Sequence, residues 1–127
     1  MSEDAKALIE TATRRFLEEV PALAPMKLVV SLELRGRGDV QHFRVELPGP
    51  EVSKELASDA RVQVSMRREF FNIMAGEAKV VDWIEAFTYG KASATGPTKI
   101  LELIGNVVER SEERRRTRKA RHAPKGS

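Results

Sequence analysis

Cysteine is absent from all 127 residues. That excludes disulfides, thiolate nucleophiles and cysteine-based metal centres, and it leads us to expect a reducing, cytoplasmic location. Histidine is almost absent: His42 and His122 are the only two, and neither has a second histidine placed to share a metal. Long apolar runs are missing as well. Stretches such as Leu28-Val29-Val30 fall far short of the ~20 residues a membrane-spanning helix needs. The acidic Ser2-Glu3-Asp4 stands where a secretory leader would be basic, so no targeting segment is expected. No Gly-x-Ser-x-Gly elbow occurs, and Gly36-x-Gly38 lacks the third glycine and following helix of a phosphate loop. With no nucleophile or base to name, an enzyme ranks last among the function classes, and no metal or cofactor is expected.

What is present is divided unevenly. Residues Arg110 to Ser127 hold eight Lys or Arg against two acids, while the whole chain carries only +3. The body is therefore acidic, and the basicity belongs to a tail. We expect a single domain over residues 1–109 and a basic tail over 110–127 that frays from a helix into disorder, with Glu112 and Arg116 spaced for an i,i+4 pair. Such a tail can simply remain solvated, or it can be drawn to an anionic membrane surface. Nucleic-acid binding is disfavoured, because the tail has no aromatic residue for stacking and the body no recognition signature.

The body reads as alternating helix and strand. Ala5, Leu8, Ile9, Ala12, Phe16 and Leu17 form one stripe of a helix over residues 3–19, ended by Pro21 and Pro25. Leu28, Val30, Leu32 and Leu34 alternate, as do Phe43, Val45 and Leu47. The Gly36-Arg37-Gly38-Asp39 turn between them makes a hairpin. That turn also accounts for the integrin-like tripeptide Arg37-Gly38-Asp39. Residues 51–60 fit either a short helical turn or an irregular crossing. Val62, Val64 and Met66 suit a third strand. A helix over Arg67 to Ala75 is expected to place Phe70, Ile73 and Met74 on one face and to end at a left-handed Gly76. Val80, Trp83, Ile84 and Phe87 mark the next helix, closed by Gly90. Lys91 to Thr95 is a short strand, and Pro97 opens a last helix with Ile100, Leu101, Ile104, Val107 and Val108. The fold class is therefore α+β, a mainly antiparallel sheet of four or five strands with helices on one face.

Val62-Gln63-Val64-Ser65-Met66 followed by Glu69-Phe70-Phe71-Asn72-Ile73-Met74-Ala75-Gly76 resembles the strand and helix of sterol carrier protein 2 domains. Ala86-Phe87, Gly90-Lys91 and Gly96 are similar to a later stretch of that family, at matching separation. The likeness covers about Val62 to Val108. It implies a hydrophobic tunnel between sheet and helices that binds sterols, fatty acids or acyl-CoA esters without transforming them. One departure stands out: Ala92 and Ala94 occupy positions where the family usually carries large aliphatic residues.

The resemblance implies a ligand site made of Phe70, Met74, Trp83, Ile84, Phe87 and Ile104, with Gly90 and Gly96 fixing the strand that closes it. On periodicity alone these side chains fill a core just as well. The function expected is non-enzymatic binding, or transfer, of a lipid-like molecule (fatty acid, acyl-CoA or sterol-like). The alternative is an accessory module with a collapsed cavity that binds a protein partner.

Overall fold

The computed structural model describes residues 2–122, with side chains for 5–117. Four α-helices and five strands follow in the order α1 (Ser2–Glu19), β1 (Val29–Arg35), β2 (Val40–Glu46), β3 (Glu51–Ser53), β4 (Val62–Arg67), α2 (Arg68–Glu77), α3 (Val80–Thr88), β5 (Ala92–Thr95) and α4 (Thr98–His122). A 3-10 helix, Pro21–Met26, joins α1 to β1. The strands form one sheet in the order β3-β2-β1-β4-β5. All neighbours are antiparallel except the central pair, β1 and β4. The α+β class is thus as the alternation patterns require.

Register explains why only one face is apolar. Val30 lies opposite Val45 and Val62, Leu32 opposite Phe43 and Val64, and Met66 opposite Ala92. Directly paired residues share a face, so these side chains all point to the helical side. The core there is built on Leu32, Leu34, Phe43, Val45, Met66, Phe71 and Ile9 of α1. The intervening residues build a polar outer face, where Glu33 stands opposite His42. The Ser65 hydroxyl donates to Glu33 at 2.7 Å and holds its carboxyl below the usual range, with Arg35 assisting.

Residues 51–60 resolve into the short edge strand β3 and a crossing segment toward β4. Arg44 on β2 pins that segment by donating to both carboxylate oxygens of Asp59, at 3.1 and 2.8 Å. The bond from Arg44 lowers the Asp59 pKa. A lowered acid stabilises the fold above its unfolded value, about 3.9, and that contribution is lost as pH falls through the folded value. Asp59→Asn should therefore lower Tm at pH 7 and do so less and less as pH falls below the ordinary carboxylate range, a convergence that thermal scans across pH can read.

Several expectations meet a different arrangement. Helix α2 buries Phe71 and Ala75, leaves Phe70 and Met74 half-buried, and exposes Ile73 at 76%. The helix starts directly off β4 with no loop, so its phase is set by the strand. Of two adjacent phenylalanines only one can face inward, and periodicity cannot choose between them. Gly76 lies inside α2 and is not left-handed. The helix ends at Ala78, whose N–H donates to Met74 at 2.9 Å, and the Gly76 carbonyl accepts a hydrogen bond from Arg15 on α1. The division expected at residue 109 falls inside α4, which continues through His122. Glu112 is buried and bonds Arg115 at 3.3 Å rather than Arg116. The end of the tail, residues 123–127, lies outside the described residues.

Two glycines shape the segment between α3 and α4. Gly90 has φ +78°, a left-handed turn that lets the chain reverse into β5. At Gly96, φ is +156° and a Cβ would stand 2.5 Å from the Arg61 carbonyl oxygen. Gly96→Ala is expected to cost ~1–3 kcal/mol, measured by urea unfolding. Gly105→Ala, where a Cβ meets nothing within 4 Å, should cost nothing and serves as the comparison.

Candidate functional site

The helices do not close fully on the sheet. A cavity of about 760 Å³ lies among α1, α3, α4 and the apolar face, within the ~300–1,000 Å³ typical of small-molecule sites. Its floor is Val30 and Leu32 of β1, Val64 and Met66 of β4, and Ala92 and Ala94 of β5. One wall is Ile9, Ala12, Phe16 and Leu17 of α1, and another is Trp83, Ile84 and Phe87 of α3. Helix α4 contributes Leu101, Ile104 and Val108 at helical spacing. Small residues make the room. Ala92, Ala94 and Gly105 lie where larger side chains would bring β5 and α4 together.

Helix α4 is held at its start and near its middle. At the start, the Pro97 carbonyl accepts from the Leu101 N–H at 3.1 Å, directly after the tight Gly96 contact. Further along, Val108 joins Val20, Leu23 and Val80 in a separate apolar cluster. Just past it, Glu19 at the end of α1 ties three elements together. Its carboxylate accepts from the Val80 N–H at 3.1 Å and from Arg115, and its carbonyl accepts from the Ser111 hydroxyl at 2.6 Å. Between these anchors, Leu101 and Ile104 remain half-buried over the cavity.

Of the residues expected at the site, Trp83, Ile84, Phe87, Ile104 and Gly90 line this cavity. Trp83 also packs on Phe71, with ring centroids 6.3 Å apart. Phe70 and Met74 do not line it. The Phe70 ring instead lies under the Lys91 ammonium at 5.9 Å, and Met74 packs at the margin of the main core. Gly96 acts from outside, through its contact with Arg61. Sequence reasoning missed the α1 wall, although its stripe was read, because nothing in a stripe says whether a core or a cavity lies beneath. It also missed Glu19, Ser111 and Arg115, whose meeting depends on tertiary approach alone.

The wall carries few polar groups. The Thr13 hydroxyl donates to the Ile9 carbonyl at 2.7 Å, and the Thr88 hydroxyl to the Ile84 carbonyl at 2.8 Å. Ser93 and Glu109 stand at the exposed rim with Phe87, Thr88, Gly90 and Gly105. Asp82 belongs to the start of α3, where it accepts from the Lys79 N–H at 2.8 Å. His42 sits on the opposite face of the sheet. Among the described residues, no group of three His, Cys, Asp or Glu could hold a metal, and no helix is long and apolar enough to cross a membrane. What this arrangement can do chemically is remove apolar surface from water, worth ~25 cal/mol per Å².

No family model and no curated protein matches the chain. Solved structures do. The crystal structure of sterol carrier protein 2 like 2 from Aedes aegypti aligns with a TM-score of 0.54 at 21% identity, over 83% of this chain and 97% of that one. The solution structure of the palmitated protein gives 0.53 at 21%, over 79% and 93%. Sterol carrier protein domain 2 of Helicoverpa armigera gives 0.55 at 12%, over 84% and 85%. The chain thus shares the fold of these sterol carrier protein 2-like domains.

Proposed function

We propose that the chain is a non-enzymatic carrier that takes up one lipid-like molecule in the cavity beneath α4. The supporting observation is the cavity itself: about 760 Å³ walled almost wholly by aliphatic and aromatic side chains of the sheet and of helices α1, α3 and α4. The palmitated state of the Aedes aegypti structure is in keeping with such a cargo. Trp83, Ile84, Phe87 and Ile104 supply the contact surface, and Gly90 and Gly96 hold β5 in place as the floor.

The magnitudes suit a carrier. A ligand of about 25 heavy atoms at ~0.3 kcal/mol per atom gains ~7.5 kcal/mol, which corresponds to micromolar affinity. Cargo bound at that strength is retained yet can be released. Trp83, the single tryptophan, reports occupancy. In a titration series of fatty acids, acyl-CoA esters and sterols, at least one class should change its emission, and native mass spectrometry should show one ligand per chain. An unchanged spectrum across the series, with no ligand-bound mass, would refute the reading.

A further inference from the structure

Among the described residues that line the cavity, one is charged: Glu109, a turn beyond Gly105 on the same face of α4. It stands exposed at the rim. No Lys, Arg or His lies within ion-pair distance of it among the described residues. Arg110 follows it in the chain but is not part of the lining, and Lys91 is engaged with the Phe70 ring outside it.

The two threonines point the same way. A hydroxyl has one hydrogen to donate, and those of Thr13 and Thr88 go to carbonyls of their own helices. What each oxygen offers the cavity is lone pairs. Glu109 offers two carboxylate oxygens and, when ionised, no donor. Ser93 pairs with Ser65 of the outer face, so its hydroxyl points away from the cavity, and the single Trp83 N–H is the side-chain donor left in the wall. The polar atoms are thus mostly acceptors, and the only formal charge is negative.

We propose that the cavity selects apolar ligands whose polar end is a hydrogen-bond donor, a hydroxyl or an ammonium, against ligands ending in a carboxylate or phosphate. Glu109 is the specificity-determining residue. This rests on the carrier reading and narrows it. A carboxylate that enters such a site loses water, meets no cation and is repelled by Glu109, because two like charges in one site oppose each other's ionised forms. A hydroxyl or ammonium instead finds Glu109 and the threonine oxygens as acceptors. Fatty acids and acyl-CoA esters are then poor cargo, whereas alcohols and amines with equal tails are good cargo.

The test uses three ligands with one tail: dodecanoic acid, 1-dodecanol and dodecylamine, titrated into the full chain at pH 7 and low salt with Trp83 emission as the signal. The alcohol and the amine should bind at least about tenfold more tightly than the acid, about 1.4 kcal/mol. Glu109→Gln keeps the size and an exposed helical position, and it should shrink the amine-to-acid ratio several-fold. Added salt should shrink that ratio in the parent chain too. Dodecanoate binding as tightly as the other two would overturn the selectivity while leaving the carrier reading intact. So would a ratio that Glu109→Gln does not change. Binding of none of the three would overturn both.

Discussion

Phe43→Ala is expected to destabilise the chain by about 3–5 kcal/mol, whereas Ile104→Ala should cost under about 1 kcal/mol. Both remove large apolar side chains, so composition alone would predict similar losses. The difference lies in what surrounds them. Phe43 is fully buried, at 0% exposure, in the main core on the inner face of β2. Its removal strips contacts on every side and leaves a new void. Ile104 is half-buried and turns one side to a space that already exists. Atoms lining a void have no partners there to lose. With total stabilities of about 5–15 kcal/mol usual for domains of this size, urea midpoints separate the two outcomes readily. Equal costs would mean that α4 packs solidly on the sheet.

The second large effect is on binding. Adding side-chain volume at the floor and roof together, as Ala94→Leu with Ile104→Phe, should weaken uptake of dodecanol more than a hundredfold, about 2.7 kcal/mol. Stability should hold or rise. Each added methylene that leaves water contributes ~0.8 kcal/mol, and the cavity offers room for it. In a filled core the same changes would overpack and cost ~1–3 kcal/mol. The paired readout, affinity down and stability not down, distinguishes a ligand-sized space from a packed interior. Calorimetry gives the first quantity and urea unfolding the second.

The strands and helices were legible because their apolar residues keep clean periods. The run Leu28, Val30, Leu32, Leu34 and the set Phe43, Val45, Leu47 fixed both the hairpin and its buried face, and the structure pairs them in that register. The parallel pairing of β1 with β4 was not legible, since alternation gives a strand its faces but not its neighbours. Turn chemistry was readable where the backbone demands glycine, as at Gly90 and Gly96. It misled at Gly76, where α2 has no such demand.

The candidate site divides along the same line. Trp83, Ile84, Phe87 and Ile104 lie on helical stripes that face the cavity. Phe70 was named in place of Phe71 because a one-residue change of helical phase is invisible when both residues are phenylalanine. The alanines at 92 and 94 lie in the floor of that space. The Glu19 hub carried no signal at all, since a glutamate at a helix end looks solvated until Val80, Ser111 and Arg115 arrive from distant parts of the chain. Helix α4 runs on past residue 109, where Ser111 and Arg115 tie it to Glu19.

The central claim is that an unfilled apolar space lies beneath α4, and xenon tests it without assuming any ligand. Xenon enters dry apolar cavities and ignores filled ones. In a crystal of the chain pressurised with xenon, the account predicts an anomalous peak bounded by Ala94, Trp83 and Ile104. A pressurised crystal with no peak there, and with Ile104 packed directly against Ala94, would contradict it.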